Sequence, residues 1–248
     1  MNVPEEINRK VADHLADVNL TYTENSRRYL LSEGFRKDHV FCTGSPLKEV
    51  LDIHKIQIEK SSILKNLSLQ KRNYIVASIH REENLDTDRN LVNIIKGFDA
   101  IIDKYNKPII FSCHPRTQKK LNEFGLKLNK KIKLIKPLGF FDYVKLQSQA
   151  FITLSDSGTI SEESAMMKFP AVIIRTSTER PEAIDFGSIV LGNIDAETIV
   201  QATEIVLNTF NKEEMEIPSE YNTTTVSNKV VRIIQGFTPI INREIWKK

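Results

Sequence analysis

One segment combines a glycine turn with hydroxyl and carboxylate side chains where a strand gives way to a helix. It runs Leu154-Ser155-Asp156-Ser157-Gly158-Thr159-Ile160-Ser161-Glu162-Glu163. A helix N-terminus presents free backbone N–H groups and a partial positive charge, which suit a phosphate. Gly158 would let the backbone approach such a group, Ser157 would add a donor, and Glu163 could accept hydrogen bonds from ribose hydroxyls. An ordinary helix cap formed by Asp156 or Ser157 explains this segment equally well.

Two histidine–arginine groups follow neighbouring predicted strands. His80 precedes Arg81, and His114 is followed by Pro115 and Arg116. Because the carboxyl ends of neighbouring parallel strands meet at one edge of a sheet, both groups should face the Asp156–Glu163 loop. Cations beside a phosphate site are electrostatically favourable. The rival interpretation, a zinc site, lacks the usual ligand spacing, so no metal is predicted.

Two further loops follow predicted strands and could contact a ligand. The loop 136–143 contains Phe140, Phe141 and Tyr143, whose aromatic faces suit a nucleobase. Aromatic residues at such spacing more often lie in the core, so we expect Phe140 or Phe141 to be buried. The loop 176–183 carries Glu179 and Arg180, and it suits a substrate contact and a surface turn equally well.

The elements that would position these loops form an alternating pattern from residue 74 onward. Short β-branched runs alternate with helical periods, of which 88–105 is the clearest, having apolar residues at 91, 94, 95, 98, 101 and 102. Short strands joined by helix-length connections predict parallel pairing with crossover helices. The sequence therefore predicts a doubly wound α/β domain whose six strands begin near residues 74, 108, 132, 150, 171 and 188.

The first 43 residues have a different organisation. Helices are predicted at 5–14 and from Thr23 to Gly34, with short strands at 17–22 and 39–43. So few elements cannot bury their own apolar faces. We therefore predict a remnant of another Rossmann-like domain at 1–43, a long linking helix at 46–60 within a main domain at 44–248, and a helix at 227–236 followed by Pro239 and a tail.

Composition excludes several classes of protein. The net charge of +3 is small and scattered, which disfavours a nucleic-acid partner. No apolar stretch reaches the ~20 residues of a membrane helix, so no membrane association is expected. Cys42 and Cys113 end apolar runs, which predicts buried thiols in a reducing compartment, and with no signal-peptide pattern at residues 1–6 we expect a cytoplasmic protein.

Taken together, these segments resemble the non-hydrolysing UDP-N-acetylglucosamine 2-epimerases, over essentially the whole chain. The resemblance is carried by the order of the motifs: Pro4-Glu5-Glu6-Ile7-Asn8-Arg9, His80-Arg81-Glu82-Glu83, His114-Pro115, Pro137-Leu138, Asp156-Ser157-Gly158-Thr159-Ile160-Ser161-Glu162-Glu163 and Thr178-Glu179-Arg180-Pro181-Glu182. At the level of individual residues, the chain is similar to the branch of the family that makes UDP-N-acetyl-L-fucosamine. The segments that carry this similarity include Gly139-Phe140-Phe141-Asp142-Tyr143 and the terminal Asn242-Arg243 before Trp246. Glu82 stands where the N-acetylglucosamine enzymes commonly have arginine, which leaves the identity of the sugar open.

The resemblance implies the C-terminal half of a glycosyltransferase-B-type fold of two Rossmann-like domains, and an isomerase that inverts C2 of a UDP-N-acetylhexosamine by eliminating and re-adding UDP. It implies catalytic roles for Glu5 and His80, and no cofactor. UDP would contact Ser157, Gly158, Glu163, Tyr143, His114 and Arg81, and Arg9, Glu179 and Arg180 would line the substrate cleft.

The resemblance also implies that most of the family's N-terminal domain lies before Glu5. This chain alone is therefore expected to be inactive, and to need a partner chain that supplies the N-terminal half, or a homodimer. The alternative expectation is a non-catalytic UDP-sugar-binding fragment.

Overall fold

The computed structural model describes residues 4–85, 87–176 and 181–248, with the side chains of Pro4 and Glu5 left out of the description. These residues form two compact units. Of the described residues, those up to Asp52 and those from Ser219 to Lys248 form one unit, and those from Ile53 to Pro218 form the other.

The larger unit contains a six-stranded sheet, whose strands are β3 (Ile75–Ser78), β4 (Ile109–Ser112), β5 (Ile132–Ile135), β6 (Thr153–Ser155), β7 (Ala171–Ile173) and β8 (Val190–Leu191). All six strands are parallel, and their order across the sheet is β5-β4-β3-β6-β7-β8. The order reverses between β3 and β6, and this is the position where open α/β sheets bind ligands. The predicted single parallel sheet is confirmed.

Helices cover both faces of this sheet. They are α4 (Lys55–Lys60), α5 (Ile63–Asn66), α6 (Glu82–Leu85), α7 (Asp88–Tyr105), α8 (Pro115–Glu123), α9 (Phe140–Ser148), α10 (Ile160–Met167), α11 (Glu182–Asp185) and α12 (Ala196–Thr209). Along β3, Ile75 and Ala77 belong to the core beneath α7 and α12, whereas Val76 belongs to the core beneath α5 and α9. Side chains alternate between the faces of a strand, so a strand covered on both faces is a continuous apolar run. This accounts for the short, continuous apolar runs from which the strands were predicted.

The smaller unit is built from α1 (Pro4–Leu15), β1 (Asn19–Thr21), α2 (Glu24–Ser32), β2 (Val40–Cys42), α3 (Leu47–Ile53, whose last residue belongs to the larger unit) and α13 (Val226–Glu244), with 3-10 turns at Lys37–His39 and Ser219–Asn222. Its two strands pair in parallel. Phe237 of α13 packs edge-to-face on Phe41, and the Trp246 indole donates to Asp17 Oδ2 at 3.0 Å. These contacts place the C-terminal helix with the N-terminal elements, a division that differs from the predicted boundary after residue 43.

Four local predictions are wrong. The helix expected over 46–60 is interrupted at His54, which has non-helical backbone angles (φ −100°, ψ 12°). Pro239 lies inside one continuous helix, α13, rather than after its end. Proline at position 239 lacks the backbone N–H that would bond the carbonyl of Gln235, which is an exposed residue. Cys113 is buried but Cys42 is only partly so. Neither Phe140 nor Phe141 is buried: Phe140 is exposed, and Phe141 is partly covered, with its ring 5.1 Å from that of His54.

The loop after β3 is fastened to α8 by one buried hydrogen bond. The Thr117 hydroxyl donates to the Ile79 carbonyl oxygen at 2.9 Å, and both residues are fully buried. We expect Thr117→Val to lower the free energy of unfolding by about 1–3 kcal/mol, because the carbonyl is left unpaired in the core. Urea unfolding measures this change. The same substitution at the exposed Thr209 is the control, and equal effects at the two sites would contradict the role of the buried bond.

Candidate functional site

Asp156 is the central group of the site at the carboxyl ends of β3 and β6. Its carboxylate is fully buried and accepts the backbone N–H groups of His80 and Arg81, both at 2.9 Å, and the Asn84 side-chain amide at 3.1 Å. Because β3 and β6 are paired neighbours, Asp156 directly after β6 reaches the loop directly after β3. This carboxylate therefore fixes the backbone of the His80 loop.

Asp156 also orients the His80 ring. His80 Nδ1 lies 3.0 Å from Asp156 Oδ1, and half of the His80 side chain is exposed. A carboxylate accepts a hydrogen bond here, so Nδ1 carries the proton and Nε2 is left for a ligand. The hydrogen bond to Asp156 raises the pKa of His80 above its usual value, with burial opposing it. The site therefore favours a cationic histidine at the sheet's switch point.

The Ser157-Gly158 turn connects Asp156 to α10. The Ser157 N–H donates to the Ser155 hydroxyl oxygen at 3.1 Å, and the hydroxyl oxygens of Ser157 and Thr159 lie 2.9 Å apart. The cap residue of α10 is Thr159. The alternative in which Asp156 or Ser157 serves as an ordinary cap is therefore wrong, because the Asp156 side chain is used by the loop of the neighbouring strand.

A second, more enclosed part of the site surrounds Glu163. Burial raises the pKa of Glu163 to about 7, against hydrogen bonds from Gln147 and Thr159 that lower it. Gln147 Nε2 donates to Glu163 Oε2 at 2.7 Å. Burial also raises the pKa of Tyr143, the nearby Glu163 carboxylate adds to that rise, and a hydrogen bond with Ser78 opposes it. Tyr143 is thus a neutral hydroxyl beside a carboxyl group that titrates near neutrality.

The other predicted contacts of this unit lie on the same loops. His114 is exposed, and its Nδ1 accepts the Arg116 N–H at 3.3 Å, which caps α8 and leaves the ring proton on Nε2. The Arg116 guanidinium pairs with Glu82. The Arg81 guanidinium lies 3.4 Å from Glu83 Oε1, which is also 3.5 Å from the buried Arg175. These ion pairs join the loops after β3, β4 and β7.

The remaining predicted residues lie elsewhere or outside the description. Arg9 belongs to the smaller unit, where it pairs with Glu6, Asp13 and Glu33. Glu5 lies in α1, but its side chain is outside the described part of the chain. Glu179 and Arg180 are also outside the described residues. Their assignment to the substrate cleft stays a prediction.

Asp156, Gln147 and Asn84 contribute to the site in ways that the sequence did not reveal. From the sequence pattern Asp156 has only the role of a helix cap, Asn84 has no role of its own in the motif His80-Arg81-Glu82-Glu83-Asn84, and Gln147 lies in no motif. Across residues 4–85, 87–176 and 181–248, no group of three or more potential metal ligands is present. In the same ranges, no helix is both long enough and apolar enough to span a membrane.

The doubly wound parallel sheet, with the Ser157-Gly158 turn at its switch point, defines a Rossmann-like type of α/β protein. The family model for UDP-N-acetylglucosamine 2-epimerase matches residues 1–235. The chain belongs to this family.

Relatives from two archaea share substantial sequence with the chain. The UDP-N-acetylglucosamine 2-epimerase of Methanocaldococcus jannaschii is 38% identical over 215 residues, which are 84% of this chain and 58% of that protein. The Methanococcus maripaludis enzyme is 35% identical over 212 residues, 83% of this chain and 58% of its own length. The chain thus spans less than two thirds of the length of these relatives.

Solved structures agree with the fold. The UDP-N-acetylglucosamine 2-epimerase of Rickettsia bellii superposes with a TM-score of 0.90 at 41% identity, over 99% of this chain and 66% of that one. The Methanocaldococcus jannaschii enzyme, solved in complex with UDP-GlcNAc and UDP, superposes with a TM-score of 0.86 at 34% identity, over 95% of this chain and 65% of that one. The predicted Rossmann-like, glycosyltransferase-B-type fold class and the predicted family are confirmed.

Proposed function

We propose that this chain binds the UDP moiety of a UDP-N-acetylhexosamine in an epimerase that inverts C2 of the sugar, in the synthesis of surface polysaccharide precursors. The observation that carries the proposal is the Asp156 network, which presents His80 Nε2 and the Ser157-Gly158 turn at one switch point. A cationic imidazole and the Ser157 hydroxyl, close to the N-terminus of α10, are complementary to a diphosphate.

The nucleoside would occupy the enclosed part of the site. Glu163 would accept hydrogen bonds from the ribose hydroxyls, and Tyr143 would lie near the uracil. His114 and Arg81 would add donors near the diphosphate. The complexes of the Methanocaldococcus jannaschii and Neisseria meningitidis enzymes with UDP-GlcNAc support this class of ligand.

In the proposed reaction, a base removes the C2 proton while the bond between C1 and the UDP oxygen breaks, which leaves a glycal and free UDP. UDP then re-forms the bond to C1, and a proton is delivered to C2 on the opposite face. The departing diphosphate gains negative charge, and a preorganised cation such as His80 stabilises this charge as it develops. Glu5 is the proposed carboxylate that exchanges the C2 proton, and Arg9, Glu179 and Arg180 are proposed contacts of the substrate.

The alternative proposal is a UDP-sugar-binding chain that does not turn over without a partner, an N-terminal half-enzyme or a second copy. All the proposed contacts of UDP lie in the larger unit, residues 53–218, which supports binding of the nucleotide by that unit. Proton exchange separates the two proposals. Incorporation of deuterium at C2 of UDP-N-acetylglucosamine in heavy water, by the chain alone, would favour the enzyme over the binding module.

Glu163→Ala tests the ribose contact. We expect UDP affinity to fall by about 1.5–3 kcal/mol, roughly 10–150-fold in Kd, because hydrogen bonds to a charged acceptor are lost. Calorimetric titration of UDP measures the change, and Glu197→Ala on the exposed surface of α12 is the matched control. Equal UDP affinity in the wild type and Glu163→Ala would refute the role of Glu163.

A further inference from the structure

Gln147, near the end of α9, has a partner for the nitrogen of its side-chain amide but none for the oxygen among the described residues. Its side chain is fully buried, and Nε2 donates to Glu163 Oε2 at 2.7 Å. The Oε1 atom of the same amide is buried and has no partner among the residues that the structure describes. A buried acceptor without a partner costs stability. An apolar residue at this position would avoid the cost of the unpaired oxygen. We therefore attribute the role of Gln147 to its amide N–H, which binds Glu163.

Glu163 is a carboxyl group for which such a donor matters. Both side chains that hydrogen-bond it, Gln147 and Thr159, are neutral, and burial raises its pKa to about 7. An ionised carboxylate accepts hydrogen bonds at both oxygens, whereas the protonated group donates one. A diol such as ribose therefore needs the ionised form. The Gln147 amide favours that form, because its hydrogen bond lowers the pKa of Glu163.

Gln147 and Tyr143 lie on the same face of α9. They are four residues apart and so lie on one face of the helix, which faces β3 through Ser78 and α10 through Glu163. The titratable groups around this point are Tyr143 from α9, Asp156 from the loop after β6, and His80, which Asp156 holds. Tyr143 stays neutral near pH 7, since burial raises its pKa.

We propose that Gln147 is a positioning residue for nucleotide recognition, whose amide holds the Glu163 carboxylate ionised and aimed at the ribose hydroxyls. This inference rests on the proposed UDP site. It adds a residue that touches no part of the nucleotide, and it predicts that recognition of the ribose depends on pH through Glu163.

The test compares UDP with 2′,3′-dideoxyuridine diphosphate, which keeps the base and the diphosphate and lacks the diol. In Gln147→Leu we expect UDP to bind about five- to tenfold more weakly at neutral pH, because Glu163 is less ionised and less firmly held once its donor is gone. The pH below which UDP binding weakens should move upward, because a group that lowers the pKa of Glu163 is gone. Binding of the dideoxy compound should not change, and calorimetry across the neutral range measures all three.

Thr153→Val is the matched control for a general disturbance of α9. The Thr153 hydroxyl donates to the backbone carbonyl oxygen of Gln147 at 3.3 Å and does not touch the amide. Its loss should lower the melting temperature and leave the pH profile of UDP binding in place. Gln147→Met, which is unbranched like glutamine, replaces Gln147→Leu if the latter does not fold, and the same results are expected of it.

The outcomes distinguish this inference from the proposed function. Equal weakening of UDP and of the dideoxy compound, or an unmoved pH profile, overturns the role of Gln147 and leaves the UDP site standing. A wild-type chain that binds neither compound overturns the UDP site, and the role of Gln147 falls with it. A loss confined to the ligand that carries the diol, together with the pH shift, supports the inference.

Discussion

Replacing Asp156 by Ala is expected to lower the free energy of unfolding by at least about 3 kcal/mol, because three buried or partly buried donors lose their acceptor at once. They are the backbone N–H groups of His80 and Arg81 and the amide of Asn84. Asp156 is fully buried, so water cannot readily replace it as the acceptor. Each unpaired buried donor costs about 1–3 kcal/mol.

Urea unfolding of the two proteins measures this difference. Asp185→Ala, on the exposed side of α11, is the matched control and should change stability by less than about 0.5 kcal/mol. Asp156→Asn keeps the shape but replaces one acceptor by a donor, so an intermediate loss is expected. A loss below about 1 kcal/mol in Asp156→Ala would show that the loop donors find other partners, and that Asp156 does not fix the loop.

The fold of the larger unit was predictable because its signals are local. The apolar period over 88–105 matches α7 at both ends, and each of the six predicted strands overlaps an observed one. Burial on both faces makes such strands continuous apolar runs, and crossover helices set their spacing. The order of the helices and strands can therefore be predicted from the sequence. Parallel pairing of the strands follows from the length of the segments that connect them.

The errors arose where tertiary contacts override local preference. Proline commonly ends a helix, yet α13 continues through Pro239, stabilised on one side by packing of Phe237 against Phe41. The helical pattern over 46–60 gives no sign of the break at His54, where the ring packs against Phe141 from α9. Contacts between residues so distant in sequence leave no periodic signal.

The site was predictable only in its outline. The convergence of His80 with the Asp156–Ser157 segment follows from strand-end geometry, and the 3.0 Å contact between His80 and Asp156 agrees with it. The role of Asp156 as an acceptor for a neighbouring loop and the pairing of Gln147 with Glu163 depend on side-chain directions that spacing does not specify. Such partners become visible only in three dimensions.

The two titrating groups of the site should give UDP binding opposite dependences on pH. A raised pKa in the folded state means that the charged form of His80 is favoured, and this contribution is present at low pH and lost as pH rises through the raised value. Ionised Glu163 is lost as pH falls through about 7. UDP affinity should therefore pass through a maximum near neutrality.

His80→Gln should cause the largest loss of activity, about 10²–10⁴-fold in kcat/KM for epimerisation, in a preparation that turns over UDP-N-acetylglucosamine. Removing a positioned acid–base group has this magnitude, and the half-exposed ring that Asp156 orients is the group proposed to face the departing diphosphate. Glutamine keeps a neutral polar side chain of similar reach, so the variant removes charge and proton transfer rather than packing.

Two readouts separate this role from a loss of stability. Release of deuterium or tritium from C2 should fall with the net rate if His80 acts in the elimination step, and the decline of UDP affinity with rising pH should disappear in His80→Gln because the titrating cation is gone. His54→Gln is the matched control, since His54 packs against Phe141 and is assigned no contact with the nucleotide. Retention of wild-type exchange by His80→Gln, with a pH profile that still declines, would assign the cationic role to another residue of the predicted set, such as His114 or Arg81.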